Sequence, residues 1–382
     1  MRFLFVVPPL TGHVNPTVSV ARALEGRGHE VAWVAHPTKV RPLLPPGARL
    51  FALPEAVEPA HADAVRERAQ TARGAAALKF LWEDFLIPLA RSMRAGVEAA
   101  AADFAPDAMC CDQQAVAGGL VARRRGLPWA TLATTSAGVT DPLAGLPQVK
   151  AWFDGLVGAL EDEAGLPRAE TRELSPRLVL AFTTPALVPG EFPPHYRFVG
   201  PSIADRPEST EFPFDALRPP CVLVSMGTVN AEASGRFYAI AIAALRDQPF
   251  QVVLVAPPAL VPEIPANFLV RAYVPQLALL PRMAAVVCHG GHNTTCEALA
   301  NGLPLVIAPI KDDQPIVADQ VVAAGAGVRV KFGRVQAPEL RAAVLRALQD
   351  PALREAAGRV RASFAAAGGA AAAAAHLEAL AR

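Results

Sequence analysis

Residues 1–28 read MRFLFVVPPLTGHVNPTVSVARALEGRG, in the order strand, loop, helix. Phe3 to Val7 is an unbroken apolar run that Pro8-Pro9 stops, too short to be the apolar region of a secretory leader, so it reads as a buried strand. A loop carrying Thr11-Gly12-His13 follows. Asn15-Pro16 then supplies an N-cap and a first helical residue, and Val20, Ala21 and Leu24 share one face until Gly26 and Gly28 close the helix. The same grammar restarts at Cys221: a strand to Ser225, a Gly227-Thr228 turn, and a helix expected from about Ala231 to Arg246.

Further short, largely apolar runs lie at Val31 to Ala35, Ala108 to Cys111, Trp129 to Leu132, Val252 to Val255, Ala285 to Cys288, Leu305 to Ala308 and Val328 to Val330, interrupted only by Thr131 and Arg329, with helix-period segments between them. Strands that are apolar on both faces and alternate with helices belong to parallel sheets covered on both sides. The expected class is therefore α/β, with two Rossmann-like doubly wound domains facing each other across a cleft at the carboxyl ends of their strands. A proline-rich, aperiodic stretch from Gly200 to Pro220 separates the two. This predicts an N-terminal domain over 1–205, a linker over 206–219, a C-terminal domain over 220–365 and a tail helix over 366–382, whose Leu377 and Leu380 form an apolar stripe that docks on the N-terminal domain.

Composition narrows the function. At about 150 residues per domain, 382 residues make two to three domains, and 52% apolar with 19% charged residues is the profile of a core-forming chain. With 36 basic and 35 acidic residues the net charge is +1, so no long-range field draws the chain to nucleic acid or anionic lipid, and small-molecule partners are expected. No 18 consecutive apolar residues occur, which argues against an integral membrane protein. Five cysteines without a C-x-x-C pair fit reduced core thiols in a cytoplasmic monomer or homodimer better than a disulfide framework or a zinc ribbon.

The chemistry concentrates between Tyr273 and Gln314: Tyr273-Val274-Pro275-Gln276, then His289-Gly290-Gly291-His292-Asn293-Thr294-Thr295-Cys296-Glu297, then Pro309-Ile310-Lys311-Asp312-Asp313-Gln314. The middle segment leaves a strand at Cys288 and opens a helix near His292, so its glycines let a ligand approach backbone N–H groups at the positive end of that helix. That describes an anion site; the competing reading is a tight turn packing helix on strand. His13 has a side chain that titrates near neutrality, in a glycine-flanked loop, and suits either proton abstraction or a hydrogen bond to the next helix. Phe80, Trp82, Phe85, Leu143 and Trp152 either line an apolar acceptor pocket or belong to the core.

Taken together, these motifs resemble the donor-binding box of nucleotide-sugar-dependent glycosyltransferases with the two-Rossmann GT-B fold, the family that contains plant small-molecule glucosyltransferases and bacterial antibiotic glycosyltransferases. The resemblance extends over nearly the whole chain through Gly12-His13, Ser225-Met226-Gly227-Thr228 and Val199-Gly200-Pro201. It implies that Tyr273 stacks on the base, that Val274 and Gln276 meet base or ribose, and that Glu297 accepts from ribose hydroxyls. It further implies that His289, Gly290, Gly291, Asn293, Thr294, Gly227 and Thr228 surround the diphosphate, and that Asp313 and Gln314 hold sugar hydroxyls. His13 matches the general base that deprotonates the acceptor, and Asp112 the carboxylate that orients it. The implied reaction is an inverting transfer of a hexose or deoxyhexose from a uridine or thymidine diphosphate sugar to a small lipophilic acceptor, with no cofactor and no metal. Tyr273 and His292 stand where plant members commonly have tryptophan, which places the chain nearer the bacterial members.

Competing classes lack their signatures. A serine hydrolase needs G-x-S-x-G between strand and helix, and the nearest match, Gly200-Pro201-Ser202-Ile203-Ala204, lacks the last glycine. Neither G-x-G-x-x-G nor G-x-x-x-x-G-K-[ST] is present. A non-catalytic nucleotide-sugar binder that activates a partner enzyme, and an epimerase on the same fold, remain as alternatives.

Overall fold

A computed structural model describes residues 1–54, 74–140, 145–169, 174–203, 211–227 and 231–382. The chain forms two compact units, one of Met1–Thr183, Gly190–Arg206 and Ala367–Arg382, the other of Thr184–Pro189 and Pro207–Ala366. Part of the expected linker, together with Thr228 and Leu143, lies outside the described residues.

The first unit holds a seven-stranded sheet in the order β3-β2-β1-β4-β5-β6-β7. Its strands are β1 (Arg2–Val6), β2 (Glu30–Ala35), β3 (Arg49–Ala52), β4 (Ala108–Asp112), β5 (Trp129–Ala133), β6 (Val179–Ala181) and β7 (Tyr196–Phe198), and each neighbouring pair is parallel. The second unit holds six strands in the order β10-β9-β8-β11-β12-β13: β8 (Cys221–Ser225), β9 (Gln251–Val255), β10 (Phe268–Arg271), β11 (Ala285–Cys288), β12 (Leu305–Ile307) and β13 (Gly327–Arg329), again all parallel.

β1 shows why these strands read as continuous apolar runs. Phe3 and Phe5 face one core with Trp33, Val18, Ala21 and Leu24, whereas Leu4 and Val6 face the other with Met93, Phe104, Cys111 and Leu120. A strand buried on both faces needs an apolar side chain at every position. β3 (RLFA), β7 (YRF) and β10 (FLVR) are sheet edges with a charged residue in each strand, while interior β6 lies within the buried apolar run Leu178–Phe182, which the runs read above do not include. Edge strands tolerate polar and charged residues, which weakens the pattern.

Two helix starts differ from the expected ones. The first helix spans Thr11–Glu25 and takes Pro16 into its interior, so it begins about one turn before the Asn15-Pro16 cap. An interior proline loses one backbone donor and crowds the carbonyl four residues before it, a cost that the buried stripe of Val14, Val18, Ala21 and Leu24 offsets. His13 therefore stands in the first turn of a helix and not in a loop. In the second unit the helix expected from Ala231 is a 3₁₀ turn at Glu232–Ser234 followed by an α-helix over Gly235–Leu245.

At the carboxyl end, Gly368 adopts a left-handed φ of 87° and divides two helices, Pro351–Ala367 and Gly369–Ala381. By length and apolar content the combined stretch is long enough to cross a bilayer, but in this fold its last part closes the core of the first unit. Ala373, Ala374, Leu377 and Leu380 are buried beside Phe3, Phe5 and Trp33. Gly369 N–H donates to the Val199 carbonyl at 2.7 Å, and Glu378 accepts from Arg27 at 3.0 Å and pairs with His29 at 2.7 Å. All five cysteines are free and buried.

Leu377 is fully buried. Leu377→Ala is expected to destabilise the first unit by about 2–4 kcal/mol, the usual range for a leucine truncation that leaves a cavity, read as a lower urea midpoint for the transition that reports that unit.

Candidate functional site

In the first unit, β1 is the strand from which the winding reverses. The chain runs outward from β1 to β2 and β3, then returns to place β4 on the other side of β1. The helix after β1 packs in one core and the helix after β4, Val116–Arg125, in the opposite one. Such a reversal opens a crevice at the carboxyl ends of the two strands, where ligands of open α/β sheets bind.

His13 and Asp112 meet at this point. His13 Nδ1 lies 2.9 Å from Asp112 Oδ1 and 3.0 Å from Oδ2, with side-chain exposures of 14% for His13 and 0% for Asp112. The carboxylate also accepts the Gln114 backbone N–H at 2.8 Å and the Thr134 hydroxyl at 2.6 Å. Both of these neighbours donate, so the carboxylate lone pairs facing His13 call for a proton on Nδ1. That leaves the lone pair of the neutral ring on Nε2, the form in which imidazole acts as a base. Thr134 follows β5, and its hydroxyl oxygen is also 2.8 Å from His13 Nδ1. Sequence reasoning passed over Thr134; its only signal is that it follows a strand adjacent to the one that ends in Asp112.

The second unit reverses its winding between β8 and β11. Gly227 follows β8, and His289-Gly290-Gly291 follows β11 and enters the helix His292–Ala300. The imidazole of His289 is held between two glycines: a Cβ on Gly227 would come within 2.6 Å of the ring and one on Gly291 within 2.5 Å. Gly290, at φ 87°, allows the backbone of Gln314 to approach, since a Cβ there would lie 3.2 Å from the Gln314 carbonyl. The glycines thus position a side chain and bring the Asp313-Gln314 loop beside the turn.

Burial holds the His289 imidazole down to about 4, against weaker upward pulls from Asp313 and the Ser225 backbone, and its Nδ1 is closed off without a hydrogen bond. At neutral pH the ring is uncharged and offers an anion a hydrogen bond rather than a positive charge. The electrostatic attraction comes from the end of the helix: Gly291 is its N-cap and has no side chain to cover the first-turn N–H groups, beside which Asn293 and Thr294 stand.

The remaining motif residues also converge. Gln276, which opens the short helix Gln276–Leu279, donates from Nε2 to Glu297 Oε2 at 2.6 Å and to Thr294 Oγ1 at 3.4 Å, while Tyr273 stands 65% exposed ahead of it with Val274 between them. Gln314 is a partial correction. Its Oε1 accepts the backbone N–H groups of Ile310 at 2.9 Å and Lys311 at 3.2 Å, so this oxygen braces its own loop and only Nε2 is left to face a ligand. Among the described residues no three His, Cys, Asp or Glu side chains gather where they would hold a metal ion.

Of the apolar candidates, Phe80, Trp82 and Phe85 lie on a π-helical segment, Phe80–Leu86, a rare conformation common at functional sites. Trp82 packs edge-on to Phe153 at 4.5 Å, and Trp152 Nε1 donates to Glu83 at 2.7 Å. All four candidates are half-buried in the first unit, and Trp82 and Phe85 pack on the core that contains Leu86 and Met93.

Comparison with known proteins agrees with this architecture. Residues 251–380 match the family model described as erythromycin biosynthesis protein CIII-like, C-terminal domain. The chain is 33% identical to the 4'-demethylrebeccamycin synthase of Lentzea aerocolonigenes over 96% of both proteins. It is 30% identical to the NDP-glycosyltransferase YjiC of Bacillus licheniformis over 90% of this chain and 88% of the relative. The crystal structure of the kitacinnamycin glycotransferase superposes with a TM-score of 0.80 at 25% identity, covering 99% of this chain and 98% of the other.

The depressed His289 value carries a pH signature. The unfolded imidazole takes up a proton as pH falls through about 6.5, whereas the folded one does so only near 4. Stability linked to His289 is therefore complete above pH 7 and is lost between about 6.5 and 4. Urea titrations at pH 7.5 and 5.0 should show the wild type losing about 1–2 kcal/mol more than His289→Asn across that interval, discounted for the ring's partial solvent access.

Proposed function

The chain belongs to the family 1-type natural-product glycosyltransferases, and from that premise we propose that it is an inverting enzyme acting on a nucleoside diphosphate sugar. The coarser activity, transfer of a sugar to a secondary-metabolite acceptor, follows from the family. What supports the finer reading is the chemical difference between the two strand-reversal sites. One holds an imidazole hydrogen-bonded to a carboxylate, which suits a base. The other holds an uncharged imidazole at a helix N-terminus that has no side-chain cap, which suits a diphosphate.

The steps balance as a single displacement. Nε2 of His13 takes the proton of an acceptor hydroxyl while the oxygen attacks the anomeric carbon from the face opposite the phosphate. The bond from that carbon to the phosphate oxygen breaks, the nucleoside diphosphate departs with the electron pair, and configuration inverts. Asp112 stabilises the imidazolium that forms. In the second unit the helix N–H groups, His289, Asn293 and Thr294 meet the charge on the leaving group, with no step requiring a metal. Gln276, Glu297 and Tyr273 hold ribose and base, and Asp313 with Nε2 of Gln314 holds the sugar. Phe80, Trp82, Phe85 and Trp152 take the apolar body of the acceptor.

His13→Ala is expected to lower turnover by roughly 10²- to 10⁴-fold with donor affinity nearly unchanged. Release of free nucleoside diphosphate should require acceptor, whereas an epimerase would convert the donor's sugar with no net release, and unchanged turnover in the variant would remove His13 from the mechanism. Thermal shifts with uridine and thymidine diphosphates identify the base, because a ligand that binds only the folded form raises the melting temperature according to its affinity.

A further inference from the structure

We propose that Thr134 is a positioning residue of the reaction, whose hydroxyl locks both the Asp112 carboxylate and the tautomer of His13; the proposal rests on His13 as the base. Threonine hydroxyls at strand ends usually bond nearby backbone, and the neighbouring Thr135 does so, accepting the Ala137 N–H at 3.4 Å. Thr134 instead reaches groups distant in sequence, Asp112 Oδ2 at 2.6 Å and His13 Nδ1 at 2.8 Å. It is 2% exposed, so this contact operates away from competing water.

The protons can be assigned one by one. The Thr134 O–H donates to Oδ2, since a carboxylate only accepts, and this directs a hydroxyl lone pair toward Nδ1. The Gln114 N–H donates to Oδ1. The proton on Nδ1 then faces three acceptor atoms at 2.8–3.0 Å, the two carboxylate oxygens and the threonine oxygen. A ring flip, or transfer of the proton to Nε2, would leave that buried cluster one donor short, and rotation of the carboxylate would break its bonds to Gln114 and Thr134 together. The hydroxyl thus keeps the Nε2 lone pair in place before the acceptor arrives. When the ring becomes imidazolium, the oriented O–H dipole lies with its negative end toward the new charge.

The test compares Thr134→Val, Thr134→Ala and Thr134→Ser, with donor-induced thermal shift as the check on folding. The ¹⁵N spectrum of labelled histidine, with the His13 signals assigned from His13→Gln, should show the Nδ1–H neutral tautomer in the wild type and Thr134→Ser. In the valine and alanine variants an Nε2–H population should appear. Turnover should fall in those two variants by about 10- to 100-fold, the scale known for lost partners behind metal-ligating histidines, with the acceptor KM little changed and serine restoring most of kcat. The proposal is overturned if valine and alanine retain the wild-type tautomer and kcat, or if serine is as impaired as valine, since the hydroxyl would then have no role. Unchanged turnover in His13→Ala would instead defeat the base assignment, and the tautomer spectrum of the free protein still judges the Thr134 contact.

Discussion

Burial of parallel strands on both faces is the constraint from which the rest follows. A strand such as β1, with Phe3 and Phe5 in one core and Leu4 and Val6 in the other, has no side chain left for chemistry. Functional groups can appear only where strands end, and only where departing helices leave room. In the first unit the helices after β1 and β4 go to opposite faces, and His13 and Asp112 emerge between them. In the second, Gly227 and His289 emerge after β8 and β11, where the strand order reverses in the same way.

The two sites place the same side chain in opposite surroundings. His13 stands against a carboxylate that is itself held by Gln114 and Thr134, an arrangement that welcomes a positive charge on the ring. His289 is packed between glycines, and its burial disfavours the charge. One imidazole faces a carboxylate that favours a proton on the ring, and the other is held neutral by its burial. The surroundings, and not the residue type, divide the labour.

Much of this was legible beforehand because burial leaves a periodic mark. Most interior strands announced themselves as apolar runs, and the His289-Gly290-Gly291 motif as glycines set between a strand and a helix start. The edge strand Tyr196–Phe198 left no such mark, since an edge tolerates polar residues. The Asn15-Pro16 pair pointed to a helix start by a local rule that long-range packing of Val14 and Val18 overrode. Gln314 matched a sugar-holding position, yet half of its amide is engaged by its own loop.

Residue order alone was sufficient for the class, the two winding units and the short motifs at their strand ends, because these depend on hydrophobic period and on patterns read within one turn. Contacts between residues far apart lay beyond it. Nothing local links Thr134 to His13 and Asp112; parallel pairing of β5 with β4, and of β4 with β1, brings them together. The charge state of His289 likewise depends on the depth to which Gly227 and Gly291 let the ring be enclosed, a property of the packed atoms that no stretch of sequence encodes by its pattern.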